Sequence, residues 1–388
     1  MVELNVEDLY LNRAKFVMKL FGVWVPPDQE SLTQKCYRIF MMSLQYAFLL
    51  FQTIYIIQVW GDLDAVSQAS YLLFTQACLC FKVTVFQLNM KILKDLLKRM
   101  NGDVFKPQSP VHVKILKFHA SRIKRLLLGF MISSQATCGL WALKPLFDDT
   151  NRKFPFDMWM PVHADQSPHY HLGYAFQLLT ICISAYMYFG VDSVALSMVL
   201  FGCGQLDIVK DKLMSVKPTW KKRGQEMNLI QTENYKILTE CIVQHQSIVS
   251  FIQIVENTFH ANIFFQLSGT VAIICIIGLR ISIVEKNSVQ FFSMLNYMVT
   301  MLSQLFLYCW CGNELTIRSQ DLRDWLYQCP WYDQDLKFRR SLWITMERMK
   351  KSIIFKAGHY IPLSRPTFVS ILRSSYSYFA VLNQANNK

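Results

Sequence analysis

Residues Ile361–Gln384 read IPLSRPTFVSILRSSYSYFAVLNQ, an apolar segment in which serines recur at regular spacing. The last 18 of these residues contain no proline or glycine, which is just long enough for a helix that crosses a hydrocarbon core of roughly 30 Å. Ser370, Ser374 and Ser377 fall on one face of such a helix. Arg373 borders that face. A polar face favours contact with water or protein over lipid, and we therefore expect this helix to line a pore.

The composition of the whole chain agrees with membrane insertion. Of 388 residues, 52% are hydrophobic and only 17% are charged, whereas soluble domains have about 25% charged residues. The 11 cysteines lie mostly in apolar segments, which favours packed, reduced thiols over a disulfide framework. The net charge of +13 would suit a nucleic-acid partner, but its distribution along the chain indicates orientation in a lipid bilayer instead, with no nucleic acid.

Seven apolar stretches predict seven membrane spans. They cover approximately Ile39–Trp60, Ala69–Met90, Leu126–Leu146, Leu172–Cys203, Ile263–Val284, Val289–Cys311 and Thr367–Gln384. Of the 40 Lys and Arg residues, 31 fall in the alternate segments 1–38, 91–125, 204–261 and 312–364. Because positive residues collect on the cytoplasmic side, both the N-terminus and these segments are expected inside. The predicted fold is therefore all-α, a seven-transmembrane helical membrane protein of inverted topology, with the N-terminus inside and the C-terminus outside.

The same pattern predicts the domain organisation. The four parts are a cytoplasmic N-terminal segment (1–38), a six-span ligand-sensing region (39–311) with cytoplasmic helical loops (91–125 and 204–261), a cytoplasmic anchor segment (312–364), and a pore-lining last helix (365–388). Within the anchor, Leu342, Met346 and Met349 repeat at helical spacing in residues 335–355. This amphipathic helix is expected either on the membrane surface or, as we favour, in a cytoplasmic bundle.

The sequence gives no support for an enzyme. It has no nucleophile-elbow, metalloprotease or phosphate-cradling motif, so no catalytic residues and no cofactor are predicted. His163, His169 and His171 lie in one loop with Asp165, but their spacing matches no zinc pattern, and no metal site is predicted.

Two charged residues, Lys82 and Asp192, interrupt apolar stretches. Buried charges in a membrane usually pair or face water, so we hypothesise a contact between these two. The alternative is that Lys82 extends to the interface and Asp192 contacts water.

Weakly polar and aromatic residues mark the outer halves of four spans. The candidate ligand-binding residues are Tyr71, Phe74, Thr75, Ser134, Thr137, Trp141, Phe176, Gln177, Ile181, Phe292, Leu295 and Asn296. Ser134, Thr137 and Trp141 share one helical face. Ordinary bundle core is the alternative for any one of them, but as a set they suit a small, uncharged, hydrophobic ligand.

The chain resembles the insect odorant receptor family over nearly its whole length. The resemblance rests on FPFDMWMPVHADQSPHYHLGYAFQ followed by VDSVALSMVLFGCGQL, on YCWCGNEL at the end of the sixth span, and on the last segment. That segment is also similar to the TYhhhhhQF signature (h, apolar) of the wider gustatory-receptor superfamily. Tyr378 and Gln384 match it, while Ser377, Asn383 and Ala385 depart from it.

The resemblance implies an odorant-gated, non-selective cation channel in the plasma membrane of sensory neuron dendrites. It implies a tetramer around a central pore, lined by the last helix and narrowed at Val381, with Ser377, Tyr378 and Gln384 as further pore residues. The implied partners are a small volatile odorant, a shared odorant co-receptor and the lipid bilayer, with no G protein required. Because the chain lacks the co-receptor's long loop between spans four and five, it resembles an odorant-tuned subunit.

Other classes remain as alternatives. A gustatory-type channel acting as a homomer is the nearest, and a small-molecule transporter or a non-conducting membrane scaffold are more distant. A G-protein-coupled receptor is disfavoured because such receptors have the N-terminus outside, whereas that of this chain is expected inside. The chain also has no DRY-like triplet after the third span and no NPxxY in the seventh.

Overall fold

The computed structural model describes residues 5–24, 31–147, 154–161, 169–219, 224–284, 286 and 288–386. The helices in this part of the chain are α1 (Val6–Leu20), α2 (Leu32–Gln58), α3 (Leu63–Leu88), α4 (Met90–Met100), α5 (Pro110–Phe147), α6 (His169–Met214), α7 (Gln225–Ile283), α8 (Val289–Gln328), α9 (Leu336–Met349) and α10 (Arg365–Asn386). Two short strands, β1 (Lys356–Ala357) and β2 (Ile361–Pro362), and single 3-10 turns at Asp103–Phe105 and Trp331–Asp333 complete it. The predicted all-α class is confirmed.

Side-chain caps determine where several of these helices begin. Ser31 accepts a hydrogen bond from the backbone N–H of Gln34, and the Gln34 side chain accepts one from the Ser31 N–H, which forms a capping box for α2. Ser288 accepts from the N–H of Phe291 at 3.1 Å and starts α8 in the same way. Each cap satisfies backbone donors that the first helical turn leaves without a partner.

Three helices are much longer than a membrane span. Helix α7 has 59 residues, about 88 Å at 1.5 Å per residue, or roughly three times the thickness of a hydrocarbon core. Helices α6 and α8 have 46 and 40 residues. They extend unbroken into the segments 204–261 and 312–364, so much of what the sequence suggests as loops is helical continuation of the spans.

Six helices in the described ranges are long and apolar enough to cross a membrane, namely α2, α3, α5, α6, α7 and α8. They coincide with the first six apolar stretches of the sequence. Helix α10 forms as expected but does not join this set, because Arg373 and the serines make it more polar. Its insertion as a seventh span therefore stays a prediction.

Helix α6 lies at the centre of the bundle. Every side chain from Met187 to Leu206 is buried, and a helix enclosed on all sides must be apolar on all faces. Glycine permits the closest approaches, since a Cβ atom at Gly202 would lie 2.6 Å from Cδ1 of Ile252 on α7. The strongly apolar sequence of this span therefore reflects its central position.

The buried apolar side chains form two clusters. The larger one, here called the main core, joins α1, α6, α7, α8 and α9 through residues such as Tyr10, Phe201 and Phe251. The smaller one, here called the cavity cluster, contains Tyr71 and Trp141 with residues of α6, α7 and α8. The two clusters divide the bundle along its length.

The segment before the last helix is a small hairpin packed on α7. Strands β1 and β2 pair antiparallel, with Ala357 opposite Ile361. Gly358 and His359 at the turn both have positive φ, 58° and 64°, and the N–H of Gly358 donates to the carbonyl of His260 at 3.0 Å. Upstream, α9 packs on α7 and α8 and buries Leu342 and Met349, as expected for a helix of a bundle. The hairpin fixes where α10 begins.

Candidate functional site

A cavity of about 50 Å³ lies between α3, α5, α6 and α8, beside the cavity cluster. It is lined by Leu72, Thr75, Gln76, Phe130, Ser134, Thr137, Cys138, Trp141, Ile181, Ser184, Ala185, Tyr188, Tyr297, Thr300, Met301 and Gln304. None of these residues carries a formal charge at neutral pH. The lining is a mixture of apolar, aromatic and hydroxyl side chains, which is typical of a site for a neutral organic molecule.

Hydroxyl groups join the helices around this cavity. The Thr75 hydroxyl on α3 bonds with the Tyr297 hydroxyl on α8. The Thr137 hydroxyl on α5 donates to the carbonyl of Ser133 at 3.0 Å and accepts from Nδ2 of Asn296 at 2.8 Å. These contacts connect α8 with α3 and α5 through hydrogen bonds between uncharged groups.

A second polar contact joins α2 to the cavity wall. The Ser184 hydroxyl donates to Oε1 of Gln45 at 2.6 Å, and Nε2 of Gln76 donates to the same oxygen at 2.8 Å. All three side chains are buried. This arrangement fixes the wall on the α2 side.

A short segment, residues 154–161, packs behind the lining residue Trp141 and is here called the cap. The N–H of Phe156 donates to Oε1 of Gln177 at 3.0 Å, and Nε2 of the same amide donates back to the Phe156 carbonyl at 3.2 Å. The Phe156 ring packs edge-on against Trp141, with ring centres 5.2 Å apart. The Gln177 amide therefore holds Phe156 against Trp141, which lines the aromatic end of the cavity.

A buried ion pair lies at the opposite end of the cavity. Nζ of Lys82 on α3 is 2.6 Å from Oδ1 of Asp192 on α6, and both side chains are buried. Gln304 and Tyr308 of α8 donate further hydrogen bonds to the Asp192 carboxylate, and Nζ lies 4.2 Å from the centre of the Tyr188 ring. The contact hypothesised from the sequence is thus present, and these five residues are here called the ion-pair cluster. Its extra donors and aromatic face offset the cost of removing both charges from water.

The cavity and the ion-pair cluster share two residues, Tyr188 and Gln304. Gln266 on α7 links them, because it accepts from the Tyr188 hydroxyl and donates from Nε2 to Oε1 of Gln304 at 3.0 Å. A side chain displaced at this end of the cavity would therefore disturb contacts among α3, α6, α7 and α8.

Helix α8 also reaches the beginning of the last helix. A Cβ atom at Gly312 would lie 2.5 Å from both Cβ and the carbonyl oxygen of Leu363, so only glycine allows this approach. The rings of Phe306 and Phe368 pack edge-on at 5.8 Å. Gln304 and Gly312 are eight residues apart, or about 12 Å along the helix. One rigid element thus contacts both the cavity and α10.

Helix α10 has two different faces. Phe368, Ile371, Ser375 and Phe379 turn toward α7 and α8, whereas the predicted pore residues Ser377, Tyr378, Val381 and Gln384 are exposed. Val381 is 66% exposed. The other serines of the stripe, Ser370 and Ser374, are exposed as well. The face that the sequence marks as polar is therefore one that the rest of this chain does not cover.

The structure brings together most of the predicted ligand-binding residues. Thr75, Ser134, Thr137, Trp141 and Ile181 line the cavity. Tyr71 packs against Trp141, and Asn296 bonds to Thr137, so both lie directly behind the lining. Gln177 holds the cap, and Phe176 packs on Phe48 and Phe51 of α2.

Three predicted residues lie elsewhere. Phe74, Phe292 and Leu295 are between 38% and 53% exposed on the outside of the bundle. The α8 residues that do line the cavity, and that the sequence analysis did not select, are Tyr297, Thr300, Met301 and Gln304. Their spacing of three, four and seven residues is a helical face and could have identified them as a group.

A metal centre is not found among the described residues. His169 and His171 belong to α6, whereas His163 and Asp165 lie outside the described ranges. All 11 cysteines are within those ranges and none forms a disulfide, as their apolar surroundings predict.

The chain is similar to proteins of one family throughout. A family model described as 7tm odorant receptor matches residues 62–376. Odorant receptor Or1 of Anopheles gambiae is 25% identical over 394 residues, covering 96% of this chain and 94% of that protein. Odorant receptor 46a, isoform A, of Drosophila melanogaster is 25% identical over 389 residues, covering 99% of both.

The fold has a solved counterpart. The structure of the insect olfactory receptor OR5 from Machilis hrabei in complex with eugenol superposes with a TM-score of 0.83, over 97% of each chain and at 14% sequence identity. A second structure of the olfactory receptor OR5 from Machilis hrabei superposes with a TM-score of 0.81. The arrangement of the helices is therefore shared, although few residues are.

Proposed function

Because the chain belongs to the 7tm odorant receptor family, whose members are receptors and not enzymes, we propose that it is a subunit of an odorant-gated, non-selective cation channel. Family and apolar helices together make it a multi-pass protein of the plasma membrane of sensory neurons. The proposal adds the ligand position, the ion pathway and the partner subunits.

The observation that carries the proposal is the uncharged cavity between α3, α5, α6 and α8. Its walls combine aromatic surface with a few hydroxyl groups, and behind Tyr188 and Gln304 the charges of Lys82 and Asp192 neutralise each other. A small, volatile, hydrophobic odorant fits this chemistry. By the orientation predicted from the basic residues, the cavity lies in the outer half of the bundle.

The size of the cavity suggests how a ligand acts. A cavity of roughly 150 Å³ accommodates benzene, and the one observed here is about 50 Å³. An odorant therefore binds a form of the bundle in which the wall has moved outward. Because it binds that form better, it shifts the population toward it. Helix α8 lines the cavity through Gln304 and contacts Leu363 through Gly312, which supports a displacement that reaches α10.

The exposed face of α10 supports its position beside a pore. In a tetramer with the shared co-receptor, Ser377, Tyr378, Val381 and Gln384 would face the central axis or a neighbouring subunit. Val381 forms the apolar constriction, which blocks ions by excluding water until the subunits move apart. No G protein takes part, because ligand site and pore belong to one assembly.

The test is to express the chain with the co-receptor in cells without other odorant receptors, and to record currents evoked by a panel of volatile esters, ketones, terpenes and aromatics. We expect currents that start within milliseconds and need no second messenger. Val381→Ala should change the conductance or ion selectivity. Val369→Ala, the same change on another face of α10, should leave both unchanged.

Two results would contradict the proposal. One is the absence of any odorant-evoked current although both subunits reach the cell surface. The other is a Val381→Ala channel with the selectivity and block of the original, which would remove Val381 from the ion pathway. Currents that persist without the co-receptor would instead identify a homomeric channel.

A further inference from the structure

Among the residues that line the cavity, one has a buried polar side-chain atom without a hydrogen-bond partner. The hydroxyls of Thr75, Thr137 and Thr300 are bonded to neighbouring helices, and the amide of Gln304 is bonded to Asp192. The indole N–H of Trp141 is different. Nε1 is buried, and it has no hydrogen-bond partner among the described residues.

An unpartnered buried N–H is uncommon, because a polar group removed from water without a new partner destabilises the protein. Trp141 itself is only 5% exposed, and its side chain forms part of the cavity lining. An indole N–H only donates. The missing partner is therefore a hydrogen-bond acceptor, and the cavity is the place from which a bound molecule would supply it.

The remaining lining limits what that molecule is. Trp141 lies among the rings of Tyr71, Phe156 and Tyr297, all within 6.4 Å between centres, so the acceptor is attached to an apolar or aromatic body. No charged residue lines the cavity, so an anion or cation would lose its hydration without a counter-charge. Ser134, two helical turns from Trp141 on α5, adds a hydroxyl at the same wall.

We infer that the cavity takes a small, neutral odorant with a hydrogen-bond-accepting oxygen, such as a ketone, aldehyde, ester or ether, and that this oxygen accepts from the Trp141 indole N–H. This inference rests on the proposed function and specifies the ligand class of the same site. Pure hydrocarbons of equal shape fill the cavity but leave the N–H unpaired. The odorants preferred by this receptor are accordingly oxygenated.

The inference is tested with pairs of volatiles that differ only in this oxygen, such as acetophenone and α-methylstyrene, and an aliphatic ketone and its methylene analogue. Currents are recorded from the chain co-expressed with the co-receptor. The ketone of a pair should act at about tenfold lower concentration than the alkene, which corresponds to about 1.4 kcal/mol. In Trp141→Phe the preference for the ketone should fall below about twofold. The lost hydrogen bond accounts for the tenfold preference, since a net hydrogen bond contributes about 1 kcal/mol.

Trp60→Phe is the matched control, because Trp60 is 80% exposed and does not line the cavity; the preference for the ketone should be unchanged in this variant. A benzothienylalanine at position 141, which has the shape of tryptophan without the N–H, separates hydrogen bonding from packing. It should abolish the preference, and the ligand-free protein should unfold at the same temperature as the original or at a higher one, because no bonded N–H is lost.

Three outcomes would overturn the inference. They are equal potency of ketone and alkene in the original protein, a preference that survives in Trp141→Phe, and a lower unfolding temperature of the ligand-free benzothienylalanine protein, which would show that the N–H bonds within the protein. Odorant-evoked currents without a ketone preference leave the proposed function standing. A complete absence of odorant-evoked currents counts against the proposed function instead.

Discussion

The cavity walls and the ion-pair cluster meet at Gln304, yet they satisfy their polar groups in different ways. In the cluster, the Asp192 carboxylate receives Lys82, Gln304 and Tyr308 together. In the walls, hydroxyls form hydrogen bonds with uncharged partners, and Trp141 leaves one donor free. An unpaired charge in a low-dielectric interior is far more costly than an unpaired N–H or an empty space. The cluster therefore has to stay intact, whereas the walls have room to rearrange around a ligand.

The largest effect is expected from breaking the cluster. Asp192→Ala leaves the Lys82 ammonium buried without its counter-ion, which destabilises a protein by about 3 to 5 kcal/mol. We expect little folded protein, measured by size-exclusion chromatography and thermal unfolding of the detergent-solubilised chain.

The double variant Lys82→Met with Asp192→Leu provides the control for that experiment. It removes both charges and keeps apolar volume, so most of the stability should return. An exchange of the two charges, Lys82→Asp with Asp192→Lys, should also recover folding relative to either single change. If Asp192→Ala folded as well as the original protein, the contrast between cluster and walls would be wrong.

The second largest effect is a loss of stability at low pH that arises from one buried histidine on the main-core side of the bundle. His245 on α7 is buried, and burial followed by the nearby Arg348 lowers its pKa from 6.5 to about 4. The unfolded chain therefore binds a proton between these two values that the folded chain does not. The contribution of neutral His245 to the free energy of unfolding should be fully present above pH 6.5. It should fall by about 2 to 3 kcal/mol on acidification to pH 4.

The pH effect is isolated by comparison with His245→Phe, which cannot titrate. The unfolding free energy of the original protein minus that of His245→Phe should decrease as the pH falls from 7 to 4. A difference that is independent of pH would mean that His245 is not held neutral by burial.

The smallest effect is expected in the cavity wall. Thr137→Val removes the hydroxyl that accepts from Nδ2 of Asn296, while that amide still donates to the Ser133 carbonyl at 3.2 Å. Stability should decrease by only about 1 kcal/mol, and the odorant concentration for half-maximal current should change by several-fold, because the wall contacts α8.

Thr239→Val is the matched control for this variant. Thr239 makes the same bond to the carbonyl four residues earlier but is exposed on α7, away from the cavity. It should change neither stability nor ligand response. A loss at Thr137 as large as that at Asp192 would show that the walls are as intolerant of change as the cluster.

The sequence identified the helices that surround the cavity but not always the face that lines it. Ser134, Thr137 and Trp141 were found because their spacing and chemistry agree, and all three line the cavity. On α8 the same reasoning selected Phe292 and Leu295, which are exposed, and passed over Tyr297 and Gln304. Periodicity groups residues into faces, but more than one face of α8 has the mixture of apolar and weakly polar residues that suggests a cavity wall. Which face turns inward depends on how neighbouring helices pack against it.

By itself, the sequence determined the helical class, the six apolar spans and the polar stripe of α10, because these follow from local composition and periodicity. Only the tertiary structure decided that Lys82 meets Asp192, that α6 is enclosed on all sides, and that α8 contacts both the cavity and Leu363. The reason is physical. These contacts join residues far apart in sequence, and the local pattern is the same whichever helices become neighbours.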